Sequence, residues 1–159
     1  MRKHSRRTSA FVVIASLAIA GSALAAQPVS NGTYEWGAGT TITGTSVDLT
    51  LAGRNKLSIH VSCGATGIGV RSAHGTGYSW MSKRDATLRS GGSFSYHGPA
   101  VGEKFAGATR RGRGKETNLT GTMTLSGTFT TVHQATGSAS VGTCHAPHFT
   151  AQYVPPGQI

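Results

Sequence analysis

The feature that most constrains this chain is an alternation of side chains that continues from Asn118 to Cys144. Odd-numbered positions carry small or apolar residues, and even-numbered positions are nearly all threonine or serine. A period of two held this long is typical of β-strands with one buried face and one solvated face. Turn-forming residues at Leu125–Gly127 and Gln134–Gly137 divide the stretch, so the pattern predicts about three antiparallel strands.

Shorter segments with the same alternation lie on either side of this stretch. Tyr34 and Trp36 mark a first strand, and residues 47–51 and 57–63 have the pattern of a hairpin. No run of eight or more residues after position 25 keeps the 3.6-residue apolar period of an amphipathic helix. We therefore predict an all-β single domain, an antiparallel β-barrel or β-sandwich of roughly eight to ten short strands.

The first 25 residues have the composition of a signal peptide. They open with four basic residues, continue with an apolar run at 10–20 and end in Ala23-Leu24-Ala25, which fits the small-x-small cleavage rule. Polar residues separate Arg6-Arg7 from the apolar run, so Sec export is favoured over twin-arginine export. We expect cleavage after Ala25, no transmembrane anchor thereafter, a secreted domain at 26–154 and a flexible tail at 155–159.

The chain contains two cysteines, Cys63 and Cys144. In an exported protein such an isolated pair is typical of a disulfide, and the lack of a Cys-x-x-Cys motif disfavours redox chemistry. Cys63 continues the apolar face of its predicted strand, whereas Cys144 is one residue out of phase with Val141. We expect a β-bulge or the end of a strand near Gly142 to correct that phase.

The chain is basic, with a formal net charge of +10. Four of its fifteen Lys and Arg residues precede the cleavage point, so eleven remain against five acidic residues, a net charge of about +6 that favours anionic partners. Arg110, Arg111, Arg113 and Lys115 are an anion-binding candidate, because the intervening glycines let them surround a phosphate or a carboxylate-bearing polymer. A solvated loop tip is the alternative. Only Phe105 is close enough for base stacking, which disfavours nucleic acid.

Trp36, Tyr78 and Trp80 form a second candidate, a ligand pocket for a small molecule or a glycan at a barrel mouth. Such a pocket needs space inside the barrel. The inward set of the long alternating stretch includes Gly121 and Gly127, which either let another sheet approach closely or leave room for a ligand. The sequence leaves both alternatives open.

No motif indicates catalysis. The chain has neither a Gly-x-Ser-x-Gly elbow nor a His-Glu-x-x-His motif. Glu35 and Asp48 lie on early strands, where they could face each other as a carboxylate pair. His60 and His97 alternate with apolar neighbours and are expected on the solvated face. We predict no catalytic residues and no cofactor.

A metal site is equally disfavoured. His145 and His148 are three residues apart, and residues three apart in a strand face opposite sides. They share a metal only if Pro147 bends the chain, so we predict no metal centre.

Several short motifs give the chain a resemblance to a class of proteins. They are Gly32-Thr33-Tyr34, Gly91-Gly92-Ser93-Phe94-Ser95, Gly127-Thr128-Phe129-Thr130, the Ala139–Cys144 run and Phe149-Thr150-Ala151. In these motifs the chain resembles small exported, Gly/Thr/Ser-rich all-β bacterial proteins of uncharacterised function. The resemblance implies a compact sandwich or barrel, often with one disulfide, and it transfers no functional residue.

Together these observations favour a secreted, non-enzymatic binding or surface-interaction protein. Its expected partner is an anionic polymer of the cell envelope, contacted through the basic segment. A small-molecule or glycan-binding β-barrel is the first alternative. A protease inhibitor or a small hydrolase is the second.

Overall fold

The computed structural model of the protein describes residues 26–37, 44–64, 76–106 and 115–157. These ranges contain no helix, and all of their strands belong to one antiparallel sheet. The strands are β1 (Thr33–Trp36), β2 (Thr45–Ala52), β3 (Lys56–Gly64), β4 (Thr76–Ser82), β5 (Ala86–Leu88), β6 (Ser93–Ala106), β7 (Lys115–Thr131), β8 (Gln134–Val141) and β9 (Cys144–Val154).

The sheet closes into a barrel. Its strand order is β2-β1-β9-β8-β7-β6-β4-β3, and a β2–β3 pairing completes the ring. The short strand β5 occupies the same place in the barrel as β4, because both pair with β3 on one side and with β6 on the other. When β4 and β5 are counted as one strand, every strand pairs with the strands before and after it in sequence, which is an up-and-down meander. Of the two predicted architectures, the protein adopts the barrel.

The long alternating stretch forms two strands, so the prediction of three is wrong. β7 continues through Leu125–Gly127, and β8 includes Gln134–Gly137; the turn lies between them at Val132-His133. The glycines that suggested turns instead face aromatic rings inside the barrel, where Phe94 pairs with Gly127 and Phe149 with Gly137. The predicted separation of faces holds, since the hydroxyl positions of β7 point outward.

Of the two features expected near Gly142, the structure shows the end of a strand, because β8 ends at Val141. Val141 and Cys144 are partners across a two-residue turn in which Gly142 has φ +54°, and this reversal turns Cys144 inward. A bulge does occur later in β9, where Pro147 and His148 together lie opposite a single residue of β8.

The predicted disulfide is present and crosses one end of the barrel. Cys63 on β3 and Cys144 on β9 are 5.5 Å apart at Cα, although their strands are not neighbours in the ring. Both residues are buried. We call this the disulfide end; β1, β3, β6 and β8 end there, and β2, β4, β7 and β9 begin there.

Aromatic rings fill the interior at positions where glycines face inward. A Cβ atom added to Gly127 would lie 2.5 Å from the Phe94 ring, and one added to Gly137 would lie 2.8 Å from the Phe149 ring. An aromatic ring packed over a glycine of the next strand allows a sheet to curve tightly without leaving a void. The small inward residues therefore accommodate rings, which answers the question that the sequence left open.

Tyr34 closes the end opposite the disulfide. Its side chain is fully buried and its ring lies 4.9 Å from that of Phe129. The hydroxyl donates to the Val132 carbonyl at 2.6 Å and accepts from the Val29 N–H at 2.8 Å. Burial raises the pKa of this phenol. The N-terminal segment is thereby fastened across the barrel to the β7–β8 turn.

Removing the disulfide is expected to destabilise the barrel strongly. The bridge joins residues 81 positions apart, and closing so long a loop is worth roughly 4 kcal/mol in the chain-entropy account. A Cys63→Ala/Cys144→Ala variant should lose about that much free energy of unfolding in guanidinium titrations. The wild-type chain in reductant should match it, and an unchanged unfolding midpoint would contradict the prediction.

Filling the space beneath Phe94 should also destabilise the fold. A Cβ atom at Gly127 would lie 2.5 Å from both the Phe94 ring and the Thr136 carbonyl oxygen, so Gly127→Ala forces these neighbours to move, and overpacking of this kind costs about 1–3 kcal/mol. Gly91→Ala is the matched control, because nothing lies within 4 Å of its Cβ position, and it should change the unfolding free energy by less than about 0.5 kcal/mol. Equal urea midpoints for the two variants would refute the packing role.

Candidate functional site

The predicted basic site lies largely outside the described residues. Arg110, Arg111 and Arg113 fall between the described ranges, and Lys115 is described only as the first residue of β7. Its partner in the ladder is Ala106, the last residue of β6. Both strand ends lie at the disulfide end.

The three aromatic residues of the predicted pocket lie at that same end, at inward-facing positions. Trp36 is opposite Val47, and Trp80 is opposite Val61, so the two tryptophans share one row of the barrel. Tyr78 lies two residues nearer the disulfide end than Trp80, opposite Cys63. Trp36 and Tyr78 are partly buried, whereas Trp80 is only 4% exposed.

Trp80 belongs to the core rather than to an open pocket. Cβ atoms added to Gly102, Gly121 and Gly142 would lie 2.7, 3.1 and 2.8 Å from its ring. The indole therefore extends from β4 across β6 and β7 as far as the β8–β9 turn. We call this the Trp80 layer; a ligand at the disulfide end meets it before it can reach the middle of the barrel.

The Trp80 indole also carries an unsatisfied donor. Its Nε1 atom is buried and has no hydrogen-bond partner among the described residues. Buried Trp N–H groups are normally paired, so this one is a polar point within an apolar layer.

Lys104 adds a positive charge to this end, and the sequence reasoning missed it. It lies opposite Tyr78 on one side and Thr117 on the other, at an inward-facing position that is half-buried. Among the side chains that the structure describes, no carboxylate oxygen lies within 4 Å of the Lys104 ammonium. The sequence did contain an indication of this position, because Lys104 has the same even-numbered spacing as the inward-facing residues Phe94, Tyr96 and Ala100.

The outward-facing side of the sheet, which we call the outer wall, carries a chain of hydrogen-bonded side chains that the sequence did not predict. Asp48 and His60 are opposite each other on β2 and β3, and Asp48 Oδ2 is 2.9 Å from His60 Nδ1. On the other side, His60 Nε2 is 2.8 Å from Ser79 Oγ on β4. His60 and Asp48 are 36% and 28% exposed, which confirms the solvated position expected for His60. The short turn after β2 fixes this register, so the Asp48–His60 pair was readable from the predicted hairpin.

Glu35 extends this row on the other side of Asp48. The two carboxylates are opposite each other in the β1–β2 ladder, as the sequence suggested. Burial, and then the charge of Asp48, raise the pKa of Glu35 above its ordinary value of 4.5. The pair places negative charge beside the histidine.

A groove of about 310 Å³ adjoins Ser79 on the outer wall. Its apolar wall comes from Met81 and Val101, which are 52% and 38% exposed and are the partners of one β4–β6 pair. Glu103 and Asn118 line the other side. Ser79 therefore lies between His60 on β3 and a partly apolar recess on the side of β6 and β7.

His145 and His148 are both exposed, on β9 and at its bulge. Within the described ranges no three His, Cys, Asp or Glu side chains are grouped so that they could hold a metal ion. None of the described residues forms a helix long and apolar enough to cross a membrane.

The chain matches no protein-family model, no curated protein and no solved structure at a significant level. Function is therefore inferred from the positions and chemistry of the described side chains.

Neutralising Glu35 should stabilise the protein at neutral pH. Because its folded-state pKa is raised, the folded chain binds a proton more tightly than the unfolded chain, so stability falls as pH rises through this pKa. Glu35→Gln should increase the free energy of unfolding at pH 7 and have little effect below about pH 4. Urea unfolding at the two pH values measures the difference.

Glu103→Gln is the matched control for this experiment. Glu103 also lies on the outer wall, but its ladder partners are Ser79 and Asn118, so its removal relieves no carboxylate pair. The raised pKa of Glu35 would be contradicted if both variants gained the same free energy of unfolding at pH 7. It would also be contradicted if the stabilisation by Glu35→Gln persisted at pH 3.

Proposed function

We propose that this chain is a secreted binding protein that holds an anionic glycan or envelope polymer at the disulfide end of its barrel. The observation that carries the proposal is the Tyr78–Lys104 pair. These residues are direct cross-strand partners at inward-facing positions, one pleat outside the Trp80 layer. They place an aromatic face and an ammonium group together at the end where the interior is closed below them.

The two side chains supply complementary chemistry for such a ligand. An aromatic ring offers an apolar face, and the Tyr78 hydroxyl adds a polar tip at its edge. The Lys104 ammonium carries three donors for a carboxylate, sulfate or phosphate group. Trp36, which is half-buried at the end of β1, supplies a second ring at the same end.

The distribution of charge supports an anionic partner. The segment that carries Arg110, Arg111 and Arg113 joins β6 to β7, and both of these strands have their ends here. Positive charge at one end of a protein raises the rate at which anionic ligands reach it. The basic segment and the aromatic residues thus become parts of one proposed site.

An extracellular location fits this role. The first 25 residues have the signal-peptide pattern, and the Cys63–Cys144 disulfide is compatible with an oxidising compartment. Anionic polymers of the cell envelope are available to a protein exported in this way.

Lys104→Ala should weaken binding to dextran sulfate by roughly tenfold, equivalent to about 1.4 kcal/mol. The loss follows from removing a partly buried cation that contacts a sulfate group. Isothermal titration calorimetry at about 50 and 300 mM salt measures the affinity, which should fall at the higher ionic strength. Uncharged dextran should bind much more weakly.

Lys56→Ala is the control, because it removes the same charge from the opposite end of the barrel, where β3 begins. It should change the affinity by less than about twofold. Replacing Arg110, Arg111, Arg113 and Lys115 together by Ala should reduce the affinity further than Lys104→Ala alone. Equal losses for the two single lysine variants, or binding that is insensitive to salt, would refute the proposed site.

A further inference from the structure

The hydrogen bonds of the outer wall have a defined direction. An ionised Asp48 carboxylate can only accept, so His60 Nδ1 must be the donor across the 2.9 Å contact. In a neutral imidazole this leaves Nε2 without a proton. The Ser79 hydroxyl then donates to Nε2 across 2.8 Å. This is the arrangement in which a histidine can withdraw the proton of a serine.

The rigidity of the sheet holds these groups in place. The three residues project from the neighbouring strands β2, β3 and β4, and each strand is paired on both sides. Two other serines on the same wall lack this arrangement, because Ser46 and Ser62 form a hydrogen bond only with each other, at 2.6 Å. Ser79 differs from them in having a histidine partner that is itself oriented by a carboxylate.

The groove beside Ser79 indicates which substrates fit. Met81 and Val101 provide an exposed apolar wall suited to a short acyl chain. Asn118, two strands away from Ser79, adds a polar amide to the far side of this lining. Glu103 lies between Ser79 and Asn118 in the ladders, so its charge disfavours anionic substrates.

We infer that Ser79 is an acylatable nucleophile and that the outer wall hydrolyses uncharged esters of short apolar acids. His60 is the general base, and Asp48 is a positioning residue that fixes its tautomer. This site uses outward-facing side chains, whereas the binding proposed above uses the inward-facing Tyr78 and Lys104, so its activity does not depend on that binding.

The reaction proceeds by two acyl transfers. Ser79 Oγ bonds to the acyl carbon while its proton passes to His60 Nε2, the ester C–O bond breaks, and His60 returns the proton to the departing alkoxide. Water then attacks the acyl-serine and gives one proton to His60, which passes it to Ser79 Oγ as that bond breaks. The net change is an ester and water converted into an acid and an alcohol.

Labelling and turnover test this inference together. The purified chain is treated with an alkyl fluorophosphonate and, separately, with 4-nitrophenyl butyrate. We expect a single phosphonyl adduct by intact mass spectrometry, mapped to Ser79 by peptide analysis, and release of 4-nitrophenolate above the uncatalysed rate. Ser79→Ala should abolish both signals, and His60→Gln should slow both by about 10²- to 10⁴-fold.

The role of Asp48 has its own readout. Asp48→Asn should lower kcat while leaving KM unchanged, because the carboxylate acts through His60 and does not contact the substrate. Met81→Ala should raise KM, because it removes part of the wall against the acyl chain. A purely structural role for Asp48 would not separate the two constants in this way.

Ser62→Ala is the control, since it removes a hydroxyl from the same wall and should leave labelling and turnover at wild-type levels. All of the substituted side chains lie on the outer wall, and circular dichroism on heating verifies that each variant is folded. The inference is overturned by a wild-type chain that forms no adduct, by an adduct that persists in Ser79→Ala, or by wild-type labelling rates in His60→Gln.

Discussion

The barrel depends on the packing of aromatic rings against glycines of neighbouring strands. Phe94 over Gly127 and Phe149 over Gly137 are direct cross-strand pairs, and the Trp80 ring covers Gly102 in the same manner. In each case the missing side chain on one strand provides the volume that a ring on the next strand occupies. The same contacts thus close the sheet into a barrel and fill the interior of the barrel. A chain with only ten aromatic residues after position 25 can in this way build a continuous core.

This economy of packing determines where function can reside. Among the described residues no charged or polar residue is fully buried, and the polar groups discussed above lie at the disulfide end and on the outer wall. At the disulfide end, Tyr78 and Lys104 lie just outside the Trp80 layer. On the outer wall, the flat ladder of β2, β3 and β4 aligns Asp48 with His60 and brings Ser79 within hydrogen-bonding distance. The first site uses inward-facing side chains at a barrel end, and the second uses the regular spacing of the strands.

Sequence patterns predicted the strands and faces well and the spatial neighbours less well. The period of two identified the inward residues of β2, β3 and β7 because side-chain alternation is a local property. The turns were misplaced because Gly127 and Gly137 carry turn propensity, whereas their role depends on rings that are distant in sequence. The Trp36–Trp80 grouping agreed with the fold, but burial of Trp80 required knowledge of the glycines opposite it. Ser79 was missed because its partners lie on two other strands, and a diagonal contact cannot be read from one chain segment.

The position of the disulfide determines what a single proteolytic cut does to the molecule. Arg110, Arg111 and Arg113 are natural cleavage points for trypsin-like proteases, and all three lie between Cys63 and Cys144 in sequence. A single cut among them divides the polypeptide but releases no fragment, because the bridge still joins the two pieces covalently. The ladder between β6 and β7 also continues to pair the strands on either side of the cut. A nicked chain would therefore migrate as an intact molecule until it is reduced, and it would retain its barrel after processing.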